Sequence, residues 1–211
     1  MTHRFLNLSQ TAQKTILDSA YQVFTDTPYE QASTNTLVKN AGISKGKLFY
    51  YFKDKRTLFH YLVERALEHL QTHYIDQLTF FETDFLKRYI RVAQIEQRAY
   101  EKEPHLFAFL SYVHLHESHR LTPEMLAFIE HTQQRMKEAL KEGVDVSLFR
   151  EDLEPTHVMQ LLEYSLKGYE LDLIETFKQT KIQSVELLPH YQAFEDFIKT
   201  LRKIYYKEET V

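Results

Sequence analysis

Apolar residues recur at helical spacing along nearly the whole chain. Ile16, Leu17, Ala20, Tyr21, Val23 and Phe24 lie on one face of a helix that Ser9 can cap and that stops before Thr27-Pro28. Ser33-Thr34-Asn35-Thr36 offers N-caps for a short second helix through Leu37, Val38 and Ala41, closed by Gly42. Ser44 can cap a third, carrying Leu48, Phe49 and Phe52. Two short helices around a glycine turn make a helix-turn-helix candidate. Beyond Asp54, a long helix runs through Leu58, Leu62, Ala66 and Leu70. Later segments divide at Pro104, Pro123, Gly143 to Pro155 and Ser184 to Pro189, and three of these prolines suit a first helical turn. About nine helices are expected.

Composition supports this all-helical reading. Among 211 residues there are four glycines and five prolines, too few for the turns of a sandwich, barrel or doubly wound sheet. The close pair Gly42 and Gly46 follows no strand-like run, which excludes the common phosphate-cradling nucleotide enzymes. Without cysteine there are no disulfides, thiolate nucleophiles or Cys-based zinc sites. The N-terminus carries no long apolar stretch, and no uncharged run is long enough to cross a bilayer. A cytoplasmic protein without a membrane partner is expected.

The net charge of −4 points away from nucleic acid until it is divided along the chain. Residues 1–60 hold eight Lys/Arg against four acids, a net +4, and the remainder carries −8. The basic part therefore seeks an anionic partner. Its strongest constellation is Leu37 to Leu58. Reading DNA requires cations for phosphates and a narrow helix whose N-terminal side chains reach base edges. Lys45 and Lys47 open the third helix, Gly46 leaves its backbone open to approach, Tyr50 and Tyr51 follow, and Lys53, Lys55 and Arg56 come just after. Lysines alone would read as a solvated face; aromatics interleaved with them in a glycine-turned helix pair favour DNA.

The run Ala41-Gly42-Ile43-Ser44-Lys45-Gly46-Lys47-Leu48-Phe49-Tyr50-Tyr51-Phe52-Lys53-Asp54-Lys55, with Leu58, resembles the DNA-binding signature of the TetR family of transcriptional repressors. The motif covers about the first quarter of the chain, and length and helix count agree over the rest. The resemblance implies a helix-turn-helix domain over 1–54 and an effector-binding, dimerising domain over 55–211. It places Ser33, Thr34, Asn35 and Thr36 at a phosphate. Lys45, Gly46 and Lys47 would open the recognition helix, Lys47 standing where threonine is frequent. Phe49, Tyr50 and Tyr51 would join the DNA face, and Lys55 would grip the backbone. Leu37, Ala41, Ile43, Leu48, Phe52 and Leu58 form the motif's packing core. Phe49 stands where tyrosine is commonest, so that hydroxyl is missing, and Val38 replaces a usual alanine.

Leu106 to Val113 is apolar at every position except Ser111, so this helix should be buried all round. By resemblance it borders an effector cavity, for which Tyr89, Phe107, Phe109, Tyr112 and Phe128 are candidate walls; taken singly, each reads as ordinary core. Val158, Leu161, Leu162, Ser165, Tyr169, Leu173 and Phe177 form one wide stripe, and Phe194, Phe197, Ile198, Leu201, Ile204 and Tyr205 another. Gly168 costs about 1 kcal/mol relative to alanine inside a helix, and a close backbone approach would explain it. The resemblance makes Leu161, Ser165, Gly168, Tyr169, Phe194, Ile198, Leu201 and Tyr205 a four-helix dimer interface.

Eleven histidines raise a metal hypothesis at His114, His116 and His119, or at His69 and His73. Their spacing misses the zincin pattern, and E-x-x-H occurs once, at Glu154 to His157. No metal or cofactor is expected, and no nucleophile signature suggests an enzyme. The expectation is a homodimeric repressor on a palindromic operator, released by a small, largely apolar or aromatic effector. The rivals are a helical adaptor or ligand-binding protein without DNA binding and, further off, a helical enzyme.

Overall fold

The computed structural model describes residues 3–76, 82–179 and 187–208. These hold ten α-helices: α1 (His3–Leu6), α2 (Gln10–Asp26), α3 (Thr34–Asn40), α4 (Lys45–Tyr51), α5 (Lys55–Leu70), α6 (Phe85–Lys102), α7 (Pro104–Tyr112), α8 (Pro123–Lys141), α9 (Pro155–Gln179) and α10 (Leu187–Tyr205). The only β element among the described residues is an isolated bridge between Phe149 and Tyr206. Helices α2 to α10 are the nine expected, and α1 is additional. The expected break from Ser184 falls mostly outside the described residues; α10 begins at Leu187 with Pro189 in its first turn.

Side chains set the helix starts as the spacing predicts. The hydroxyls of Ser9, Ser33 and Ser44 accept from the backbone N–H of Ala12, Thr36 and Lys47 at 3.3, 3.3 and 3.2 Å, and the Asp54 carboxylate accepts from Thr57 at 2.7 Å. Each satisfies an N–H that the helix itself leaves unpaired. Helices α7, α8 and α9 begin on Pro104, Pro123 and Pro155, where a missing N–H costs nothing.

By its own contacts the chain divides into two compact units. The first comprises residues up to 73 together with 99–129. Its core joins Ile16, Phe24, Leu37, Leu48, Phe52, Leu58, Phe59, Leu62 and Phe109, so α5 and α7 share one core with the short helices that precede them. Phe5, from α1, is wholly buried against Phe52, Tyr61 and Tyr51 at ring distances of 5.1, 5.7 and 6.1 Å. Burying a phenylalanine is worth about 1.5–3 kcal/mol, which fixes this one-turn helix. Helix α5 continues into a π-helical turn (Gln71–Ile75), and α7 into another (Val113–Glu117) followed by a 3-10 turn (Ser118–Arg120).

The second unit comprises 74–98 and 130 onward. Phe85, Leu86, Phe149, Val158, Leu162, Leu166, Ile198, Leu201 and Tyr206 are its core. Asp84, buried, caps α6 by accepting from Leu86 and Lys87 at 3.0 and 3.2 Å and pairs with Arg202 of α10. Arg88 is also buried and donates to the carbonyls of Ala139, Leu140 and Glu142 at the end of α8, at 3.1, 3.1 and 2.7 Å. A cation suits the carbonyl-rich end of a helix.

The expectation for Gly168 is corrected within the chain: nothing lies within 4 Å of where its Cβ would stand. Of the expected α9 stripe, Val158 and Leu162 face inward, Ser165, Tyr169, Leu173 and Phe177 are half-buried and Leu161 is exposed; outside it, Leu166 is also buried while Tyr164 and Leu171 remain exposed.

Candidate nucleic-acid interface

The local chemistry of α3, Gly42 and α4 builds one rigid corner. At the end of α3, the Ile43 N–H donates to the Val38 carbonyl at 3.0 Å and the Gly42 N–H to Lys39 at 3.3 Å. This double closure requires the left-handed backbone that Gly42 adopts, with φ of +64°. One residue later Ser44 caps α4, so the two helices meet at a fixed angle with Leu37, Leu48 and Phe52 buried beneath them. Val38 lies half-buried against the same core.

The outward face holds most of the residues expected there. Asn35, Thr36, Lys45, Gly46, Lys47 and Tyr50 are exposed, Thr34 and Phe49 are half-buried, and half-buried Ser33 spends its hydroxyl on the cap. Gly46 has no internal reason to be glycine. Its φ is not positive, and an added Cβ would meet only the Ser44 hydroxyl, at 3.9 Å. The backbone there is open to an outside partner.

Two residues are corrected. Tyr51, expected at phosphates or thymine methyls, is only 8% exposed; its ring packs on Phe5 and Tyr50, because position 51 faces the core three residues after Leu48. Lys55, expected to grip the DNA backbone, is turned inward. Its ammonium donates to the carbonyls of Tyr29, Glu30 and Ala32 at 2.8, 3.2 and 3.3 Å and lies 4.6 Å from the centre of the Tyr29 ring. That charge holds the turn leading into α3.

The structure adds two groups that the motif does not indicate. Arg4 places its guanidinium 4.3 Å over the Tyr50 ring, bringing a further exposed cation beside α4. The short apolar cluster of Phe5, Leu6 and Leu8 ahead of α2 is the available signal. Tyr29 is the other: Glu117, buried, accepts its N–H at 2.8 Å and the Arg120 Nε–H at 2.6 Å, while Arg120 also reaches Glu30 at 2.8 Å and covers the Tyr29 ring at 4.4 Å. Burial pushes the Tyr29 hydroxyl above its ordinary value.

The residues expected to wall an effector cavity are divided between the two units. Phe109 is fully buried and packs on Tyr21, Phe59 and Phe24 at 5.1, 5.7 and 6.5 Å, so it is core of the first unit. Phe107 and Phe128 lie partly buried against that core, and Tyr112 packs on His116. Tyr89 belongs to the second unit, against Phe85. Glu96, also in that unit, escaped notice as one acid on an amphipathic helix. Its side chain keeps accessible surface although protein crowds it, and this desolvation, with Glu170 nearby, raises its carboxyl to about 7.

Of the expected dimer residues, Ile198 and Leu201 are buried in the second unit's own core, and Tyr169 packs on Phe197 and Phe194 at 4.8 and 5.2 Å. Phe194, Tyr205 and Ser165 are half-buried; Leu161 and Gly168 are exposed. His69 and His73 stack at 4.1 Å, but His69 Nε2 meets Glu103 at 3.0 Å and His73 Nδ1 lies 3.2 Å from the His69 carbonyl, so these nitrogens are already engaged. Among the described residues no three His, Asp or Glu converge on a metal position.

A capped, glycine-turned helix pair on an all-helical body, with cations on its open face, defines a helix-turn-helix protein. Comparison with known proteins agrees. Residues 16–62 match the model of the bacterial regulatory proteins of the tetR family. An HTH-type transcriptional regulator of Staphylococcus aureus is 36% identical over 59 residues, which are 28% of this chain and 32% of that relative; the chain thus spans about a third of the curated relatives it matches. A TetR-family regulator structure from Chloroflexus aurantiacus aligns over 98% of this chain and 99% of its own, with a TM-score of 0.63 and 21% identity. KstR2 of Mycobacterium tuberculosis, described as a ketosteroid transcriptional regulator, aligns over 96% and 98%, with a TM-score of 0.59 and 17% identity. At these identities the two structures speak for the fold. Over residues 16–62 the chain is thus similar to the tetR family of bacterial regulatory proteins.

Proposed function

We propose that this protein is a homodimeric transcriptional regulator that binds a palindromic DNA operator through α4 and is released by a small, largely apolar or aromatic effector. The observation that carries the DNA reading is the sorting of α4. Lys45, Gly46, Lys47 and Tyr50 stay outside, with Arg4 beside Tyr50, while Leu48, Tyr51 and Phe52 are spent on the core. A solvated face would not need an open glycine between two lysines. The helix enters a major groove with its N-terminal residues at base edges, and two copies read half-sites about 34–36 Å apart or a multiple of it.

Dimerisation is supported by exposed apolar residues on the last two helices, Leu161, Tyr164 and Leu171 on α9 with Leu188 and Ile204 on α10. Covering them is the simplest use for a second copy. Repression, as opposed to activation, follows the habit of the family, and a cytoplasmic location fits a chain with no described helix long and apolar enough to cross a membrane. The enzyme reading gives way, since the matched family is one of regulatory proteins.

The test is selection of binding sites from random duplexes, followed by titration of the selected duplex at several salt concentrations. A palindrome should be enriched. Lys45→Ala with Lys47→Ala should weaken binding and lower the log–log salt slope by about 0.9 for each phosphate that is no longer neutralised. Tyr51→Phe should leave affinity unchanged, because that side chain is inside. If no palindrome is enriched, or the double variant binds as tightly as the parent, the adaptor reading replaces this one.

A further inference from the structure

The first turns of α5 and the Ser118–Arg120 segment border a cleft of about 380 Å³, within the size range of small-molecule sites. It lies wholly in the first unit and shares none of the five residues expected to wall an effector cavity. Half-buried Tyr29 lines one side, backed in edge-to-face contact at 5.1 Å by Phe59, which is itself sealed in the core. Arg56, His60, His119 and Arg120 supply its nitrogen groups, and no acid is among the lining residues.

The commitments of these groups set the charge of the occupant. Arg120 is already shared between Glu117 and Glu30, at 2.6 and 2.8 Å. His60 Nε2 lies 3.1 Å from the Arg120 carbonyl. His119, largely exposed, is 3.7 Å from Glu117. Among the described residues Arg56 has no ion pair, which leaves one guanidinium to be matched by one negative charge. A planar guanidinium takes a carboxylate through two parallel hydrogen bonds.

We propose that this cleft is a binding site for a small aromatic monocarboxylate, its carboxylate on Arg56 and its ring beside the half-buried Tyr29. The position gives the occupant a lever. Tyr29 stands in the turn before α3, its N–H held by Glu117 and its ring covered by Arg120 and Lys55. A ligand beside Tyr29 and its covering Arg120 acts directly on the segment that presents the helix-turn-helix.

Titration of the full chain with benzoate, benzamide and benzylamine, followed by protein NMR, tests this without reference to DNA, since the three probes share a ring and differ in charge. Benzoate should saturate one site per chain with shifts at Tyr29 and Phe59, at least about tenfold tighter than benzamide, and benzylamine should not compete. Arg56→Gln and His119→Glu, both at exposed positions, should each weaken benzoate about tenfold, whereas the exposed Lys137→Gln should not. Thermal unfolding verifies that each variant is folded. Equal affinity for benzoate and benzamide, no saturation by benzoate, or saturation that both cleft variants leave untouched would each overturn the proposal.

Discussion

Replacing Glu117 by glutamine should cost the first unit about 2 kcal/mol, because one buried carboxylate holds two otherwise separate stretches of chain. Its side chain is 6% exposed and accepts from the Tyr29 N–H at 2.8 Å and from Arg120 Nε at 2.6 Å. A hydrogen bond to a charged group contributes about 1.5–3 kcal/mol net. Glutamine keeps one oxygen, enough for Tyr29, but turns an NH2 toward the Arg120 donor, so one bond is lost and the other loses its charge assistance. Relief from burying a charge offsets part of this, which places the sum near the low end. Alanine should cost more, about 3–4 kcal/mol, by orphaning both donors. For a chain of this length 2 kcal/mol lowers the melting temperature by about 4–8 °C. Urea unfolding followed by circular dichroism gives the free energies, and a cycle with Arg120→Gln should show coupling above about 1 kcal/mol. A glutamine variant within about 0.5 kcal/mol of the parent, or strict additivity with Arg120→Gln, would refute this reasoning.

Three further outcomes follow from particular contacts. Arg88→Met removes the donors that satisfy three carbonyls at the end of α8 and should cost about 3–5 kcal/mol by thermal unfolding; a loss under about 1 kcal/mol would mean that water replaces the guanidinium. Gly46→Ala should stabilise the fold by up to about 1 kcal/mol, since its Cβ meets nothing closer than 3.9 Å, yet weaken binding to the selected duplex; unchanged DNA affinity would show that no backbone approaches there. Glu96, raised to about 7 by the protein crowding around its carboxyl and then by Glu170, holds a proton in the folded state that the unfolded chain has released above its ordinary 4.5. Stability should therefore fall as pH rises between those two values, and Glu96→Gln should flatten the fall and gain stability above it. Urea midpoints at about pH 5 and pH 8 measure this, and the same pH dependence in parent and variant would refute it.

Legibility in the sequence followed the range of the interactions. Features set by one residue and its near neighbours were readable: the serine caps at 9, 33 and 44, the prolines opening α7, α8 and α9, and the left-handed Gly42 all stand where local chemistry places them. The wide Leu106–Val113 apolar run implied a helix buried all round; Leu106, Ala108, Phe109 and Val113 are in the core, but Phe107, Leu110 and Tyr112 are only half-buried, so one side stays open. What escaped depends on partners far along the chain. Tyr51 was ambiguous because a tyrosine three residues after Leu48 can serve DNA or core, and only the arrival of Phe5, some forty-six positions earlier, decides for the core. Lys55 looked like a phosphate contact until the carbonyls of Tyr29, Glu30 and Ala32 appeared around its ammonium.

Partners far along the chain also hold the open face of α4. A recognition helix of seven residues is too short to be stable alone, so its orientation has to come from groups that never touch DNA. Phe5 and Leu48 hold it from beneath, and the turn before α3 is held by Lys55 from one direction and by Glu117 with Arg120 from another, eighty-eight residues away from Tyr29. Moving the Ser118–Arg120 segment must therefore either drag Tyr29 or break two charge-assisted hydrogen bonds. The first alternative transmits motion to the helix pair, and the second leaves a buried carboxylate without a partner at a cost of several kcal/mol. Transmission is the cheaper of the two, which makes Glu117, together with Arg120, a link between the end of α7 and the helix-turn-helix.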